Sequence, residues 1–154
     1  MDFETADAIN RAIRLIGLKH RALAADLLGQ VGLHPGPEMV LLELDRHGSR
    51  TQSQLATACA CEPPTLTQLV QRLEQTGLIA RRPSPTDARA TLVELTPQGR
   101  ARMGQLKERW IELAELTVAG LTVTSAETLI AVTADLASGL SICTRQRRLT
   151  ERHG

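Results

Sequence analysis

Cys59 and Cys61 stand two residues apart, a spacing that could chelate a metal or form a redox pair. His20, His34, Glu38 and His47 add further ligand types in the first third of the chain. Metal binding needs three or four convergent ligands, and these residues follow no recognised local spacing. Cys59 falls on one face of a short helix with Leu55 and Ala56, and free cysteine behaves as a small buried hydrophobe, so a structural role is expected for the pair. There is no Gly-rich phosphate loop, no G-x-S-x-G elbow and no H-E-x-x-H pair. No catalytic constellation is therefore expected, and no cofactor or metal.

A different chemistry is legible between residues 51 and 107. Thr65, Thr67, Gln68 and Gln71 interleave with Leu66, Leu69, Val70 and Leu73 at helical spacing. Short polar side chains in the first turns of a helix are what base edges in a major groove require. Arg81, Arg82 and Arg89 lie just downstream, where cations on a hairpin could reach phosphates or a minor groove. From Arg72 to Lys107 there are seven basic residues (72, 81, 82, 89, 100, 102, 107) and three acidic ones (74, 87, 94), an excess of four. The whole chain carries only +1, so any attraction for a polyanionic partner is local to this segment.

The elements that must position these residues follow from periodicity and caps. Apolar residues recur at helical spacing from Ala6 to Val31. A helix of about 25 residues is about 37 Å long, more than one small domain can pack end to end. The break at residues 32–37 precedes a short apolar helix over Glu38–Arg46, which Gly48 ends. Thr51 to Gln54 matches a capping box opening a third helix. Pro64 suits the first position of a fourth, which Gly77 closes. Residues 78–82 and 90–95 read as two strands of a hairpin around a turn-rich loop. Thr96 and Pro97 then start a long helix to about Ala119, and the capping box Thr124 to Glu127 starts a last one to about Arg145.

Composition sets the bounds. With 154 residues the chain is one compact domain or one protomer of an oligomer. Apolar residues at 42% suffice for a core. Phe3 and Trp110 are the only aromatics, which excludes a sugar-binding groove or a base-stacking platform. Three cysteines (59, 61, 143) are no disulfide framework and fit a reducing compartment. The acidic N-terminus and the lack of a long apolar run point to a soluble, cytoplasmic protein without a membrane partner.

Three helices, a fourth after a tight turn, a hairpin and two long helices form the order of a winged helix-turn-helix. Together with Thr51-Gln52-Ser53-Gln54-Leu55-Ala56, the run from Thr65 to Ile79, and Asp87-Ala88-Arg89 followed by Leu95-Thr96-Pro97-Gln98-Gly99, this resembles the MarR family of transcriptional regulators. The resemblance implies a mainly α fold with a small β-hairpin wing and long terminal dimerisation helices. It implies a dimerisation region over 1–32 and 97–148, a DNA-binding region over 33–96, and a flexible tail at 149–154. It places DNA contacts on Thr51, Ser53, Pro64, Thr65, Thr67, Gln68, Gln71, Arg72, Arg81, Asp87 and Arg89. It implies a homodimer on a near-palindromic operator, acting as a repressor released by a small phenolic or anionic effector. Arg14, His20, His34 and Glu38 are the candidate effector ligands, with Arg14 and His20 about 120° apart on the first helix. Three positions depart from the family pattern: Ala60 stands where glycine is frequent, Gln68 where a cation is common, and Pro63-Pro64 replaces a more polar entry. The near-neutral charge keeps an alternative open, a winged-helix protein-interaction module without DNA binding.

Overall fold

A computed structural model describes residues 1–84 and 90–150. The element order is α1 (Phe3–Gly29), α2 (Pro37–His47), β1 (Arg50–Thr51), α3 (Gln52–Ala58), α4 (Pro63–Gln75), β2 (Ile79–Pro83), β3 (Thr91–Leu95), α5 (Pro97–Val118) and α6 (Ala126–Thr150). The chain divides into two compact units, Met1–Ala114 and Glu115–Gly154.

Helix α1 starts earlier than its apolar pattern, because Asp2 caps it: its Oδ1 accepts from the Thr5 N–H at 2.8 Å. Only its last turns enter the core, through Ala24, Leu27 and Leu28, while Ile9, Ile13 and Ile16 are exposed. The capping box of α3 forms as expected. Gln54 N–H donates to Thr51 Oγ1 at 3.2 Å and Thr51 N–H to Gln54 Oε1 at 2.9 Å. Helix α4 begins one residue before the expected Pro64, with Glu62 as its cap and both prolines in the first turn. Neither proline N is needed there, so the pair fits.

A three-stranded antiparallel sheet in the order β1-β3-β2 pairs Arg50 with Val93, and Arg81 with Val93 from the other side. The two-residue β1 was not expected. It is too short to carry a period-two pattern and exists only through its pairing with β3. Leu28, Val40, Leu41, Leu55, Leu66, Val70, Ile79, Val93 and Leu106 are the most completely buried side chains of one continuous core. Leu69, expected inward with Leu66 and Leu73, is only half-buried. Thr96 fastens α5 to the α4–β2 turn: its hydroxyl donates to the Gly77 carbonyl at 2.7 Å and accepts from Gly99 N–H at 3.0 Å.

In the second unit the cap of α6 is Ser125 rather than the expected Thr124, its Oγ accepting from Thr128 N–H at 3.2 Å. The helix extends past Arg145 to Thr150, so it takes in the first two residues of the expected tail. Ile130, Val132, Leu136 and Leu140 are exposed along it. Among the described residues no helix is long and apolar enough to cross a membrane.

Candidate nucleic-acid interface

Helix α4 is held by its apolar side. Leu66, Val70 and Leu73 are buried, and Thr65, Gln68, Gln71 and Arg72 are exposed. Thr67 is half-buried instead: its hydroxyl donates to the Pro63 carbonyl at 2.9 Å and lies 3.4 Å from Gln52 Oε1. Thr51 spends its Oγ1 lone pair on the capping box. Ser53 and Pro64 are exposed at the starts of α3 and α4. Asp87 and Arg89 lie outside the described residues.

The sequence gives no sign of how the cations are partnered. Arg81 Nη2 meets Glu74 Oε2 at 2.5 Å. Arg82 Nε meets Glu94 Oε2 at 2.8 Å, and Ser49 Oγ donates to the same oxygen at 3.0 Å. Lys107 pairs with Asp45 at 2.6 Å. The hydrogen bond from Arg81 holds the Glu74 carboxyl below its ordinary range, and Arg82, then Ser49, do the same for Glu94. Arg100 and Arg102 donate to the carbonyls of Leu95 and Val31. Among the described residues Arg72 has no such partner. Among the described residues, three of the basic residues between Arg72 and Lys107, namely Arg81, Arg82 and Lys107, are thus matched by carboxylates within the chain.

A cavity of about 500 Å³ opens beside α4, between the α1–α2 loop and the start of α5. Leu33, Pro35, Pro37, Leu69 and Leu73 give it apolar walls, Arg72, Arg102 and His34 line it too, and no carboxylate does. Of the four candidate effector residues only His34 lines it. Arg14 and His20 are exposed on α1. Glu38 is buried at 5% exposure and accepts from the Gly36 N–H. Burial pushes its carboxyl above the ordinary range.

Cys59 and Cys61 are half-buried free thiols. Burial, aided by Cys61 and the Glu43 and Glu38 carboxylates, pushes the Cys59 thiol up to about 11, so it stays protonated and poorly nucleophilic at neutral pH. Among the described residues no three His, Cys, Asp or Glu side chains converge as a metal site.

The family model of the MarR family matches residues 38–91, the span from α2 into the hairpin. The multiple antibiotic resistance protein MarR of Salmonella typhimurium is 30% identical over 101 residues, 66% of this chain and 70% of that protein. The chain belongs to the MarR family. The repressor IacR of Pseudomonas putida is 31% identical over 96 residues, which cover 62% of this chain and 58% of the longer relative. A solved probable transcriptional regulator from Pseudomonas aeruginosa is 34% identical, with a TM-score of 0.76 over 83% of this chain and 96% of that one. A mutant MarR from E. coli complexed with operator DNA shares the fold, at 24% identity and a TM-score of 0.78 over 88% of this chain and 99% of that one. This MarR-family chain is a winged-helix transcriptional regulator, and its class is regulatory rather than enzymatic.

Proposed function

We propose that the protein is a homodimeric, sequence-specific DNA-binding repressor, released from a near-palindromic operator by a small phenolic or anionic ligand. One observation carries the DNA-binding part: α4 is anchored by Leu66, Val70 and Leu73 and leaves Thr65, Gln68, Gln71 and Arg72 exposed. A helix fixed this way offers hydrogen-bonding side chains to base edges without unfolding anything. The fold shared with an operator-bound MarR supports the same docking mode. Ser53 and Pro64 approach the backbone at the helix starts, and the wing contributes Arg89, with Asp87 holding the hairpin. A relative named as a repressor supports the sign of regulation.

Exposed Ile9, Ile13 and Ile16 on α1, and Ile130, Leu136 and Leu140 on α6, support the homodimer. Covering apolar surface is worth roughly 25 cal/mol per Å², so a second copy would gain substantially by burying these faces. Regions 1–32 and 97–148 are assigned to that contact, and 33–96 to DNA. The cavity beside α4 supports the effector. Its apolar walls and the cations Arg72 and Arg102 suit a small organic anion, and Arg72 would serve both ligand and DNA. Arg14 and His20 belong to a pocket only if a second copy completes one.

A gel shift with duplexes from upstream of its own and neighbouring genes, with and without benzoate as a probe anion, tests the reading. A specific shift that benzoate weakens is expected. No shift on any duplex would favour the interaction-module alternative, and a folded monomer in sedimentation would remove the dimer.

A further inference from the structure

Glu74 lies on the recognition helix in register with its polar face: Thr67, Gln71 and Glu74 fall at i, i+4 and i+7. A carboxylate on that face is unexpected in a surface meant for phosphates, because it repels them. Its partner comes from the wing. Strand β2 alternates, so Arg81 shares a face with buried Ile79 while Arg82 points the other way, to Glu94 and Ser49. On the helix-facing side Arg81 reaches Glu74 at 2.5 Å. Both side chains are about one-third exposed, at 34% and 36%, so the pair is open to a competing anion rather than locked in the core.

We infer that Glu74 is an internal counter-ion that holds Arg81 in reserve and sets how strongly the protein grips DNA irrespective of sequence. The inference rests on the DNA-binding reading. When a phosphate takes Arg81, Glu74 loses its partner and must recruit a cation from solution. The net release of counter-ions on binding is then smaller by about one per protomer than the number of cations on the face suggests. Sequence discrimination through Gln68 and Gln71 is untouched, because phosphate contacts are blind to sequence. Arg72, which has no carboxylate partner among the described residues, carries the standing attraction, and Arg81 adds to it only against the pull of Glu74.

Fluorescence anisotropy with a scrambled duplex of roughly 40 base pairs tests this without knowledge of the operator, since the phosphate term is sequence-independent. Wild type, Glu74→Gln, Glu74→Ala, Arg81→Ala and the Glu74→Gln/Arg81→Ala double variant are compared from 50 to 200 mM salt. Both Glu74 variants should bind more tightly at 50 mM, about threefold or more for each engaged protomer. Their salt slopes should steepen by about 0.9 per engaged protomer, so the gain shrinks across the range by roughly threefold for one engaged protomer and roughly tenfold for a dimer engaging both. In the Arg81→Ala background the gain should fall to what the loss of Glu74's own repulsion leaves, measurably smaller than in wild type, with every variant still folded in thermal melting. Unchanged or weaker binding by both Glu74 variants, with Arg81→Ala also weaker, would overturn the proposal and leave DNA binding standing, Glu74 then merely positioning Arg81. Absence of salt-dependent binding by every protein would overturn both.

Discussion

Gly99 lies flat against the carbonyl of Leu78: a Cβ at Gly99 would stand 2.0 Å from that oxygen. The same oxygen accepts from the Thr96 N–H at 3.0 Å. The first turn of α5 therefore rests on the turn that leads from the recognition helix into the wing, and only glycine permits the approach. Gly99→Ala must push the two apart, combining overpacking with a weakened hydrogen bond, a loss of roughly 2–4 kcal/mol. Urea unfolding should show it as a lower midpoint with an unchanged slope. A variant of wild-type stability would mean that the two turns are not held together as described.

Ala60 sits at φ +49 between Cys59 and Cys61, at the C-terminal end of α3. The Cys61 N–H reaches back to the Ala56 carbonyl at 3.0 Å, and Ala60 N–H to Thr57 at 3.2 Å, which fixes the left-handed conformation. A Cβ costs about 1–2 kcal/mol there. Ala60→Gly relieves that cost but loosens the unfolded chain by about 0.4–1 kcal/mol. A net gain of about 0.5–1 kcal/mol is expected in thermal unfolding. A loss of stability would contradict the left-handed turn.

Glu38 gives stability a distinctive pH dependence. Burial raises its carboxyl above the ordinary 4.5, so the folded protein takes up a proton at higher pH than the unfolded chain does. The burial cost is complete above the raised value and is relieved as pH falls through it toward 4.5. Glu74 and Glu94 are depressed, so the stability they contribute is lost only as pH falls below 4.5. Glu38→Gln should flatten the unfolding free energy above pH 4.5 and leave the decline below it. A variant that keeps the wild-type rise on acidification toward 4.5 would remove Glu38 as its cause.

Gln68 and Arg72 are both exposed on α4 and should fail differently. A glutamine pairs bidentately with adenine, worth about 1–3 kcal/mol of discrimination, so Gln68→Ala should change which operators are preferred. Arg72→Ala should weaken all sequences alike and lower the salt slope by about one. Binding isotherms on an operator and its single-base variants separate the two. An unchanged ranking for Gln68→Ala would end its direct-readout role.

Local signals made much of this fold legible. Thr51 with Gln54, Thr96 with Pro97 and Gly77 each write a helix boundary into a few neighbouring residues, and each boundary is where they put it within a residue or so. What escaped depends on segments far apart in sequence. Strand β1 exists only through β3, the pairing of Arg81 with Glu74 needs the wing folded against α4, and the cavity draws on three separate segments. Thr67 has the right type for base contact, yet its hydroxyl is turned back to the Pro63 carbonyl. Composition and spacing hold no trace of such returns.

The most direct test of the account is selection of bound sequences from a random pool of duplexes by the wild-type protein. A near-palindromic consensus is predicted, its half-sites centred about 10–10.5 base pairs apart or a multiple of that, as two α4 helices in successive major grooves require. Recovery of unenriched sequence, or of a single unpaired half-site, would contradict a dimer that reads DNA through α4.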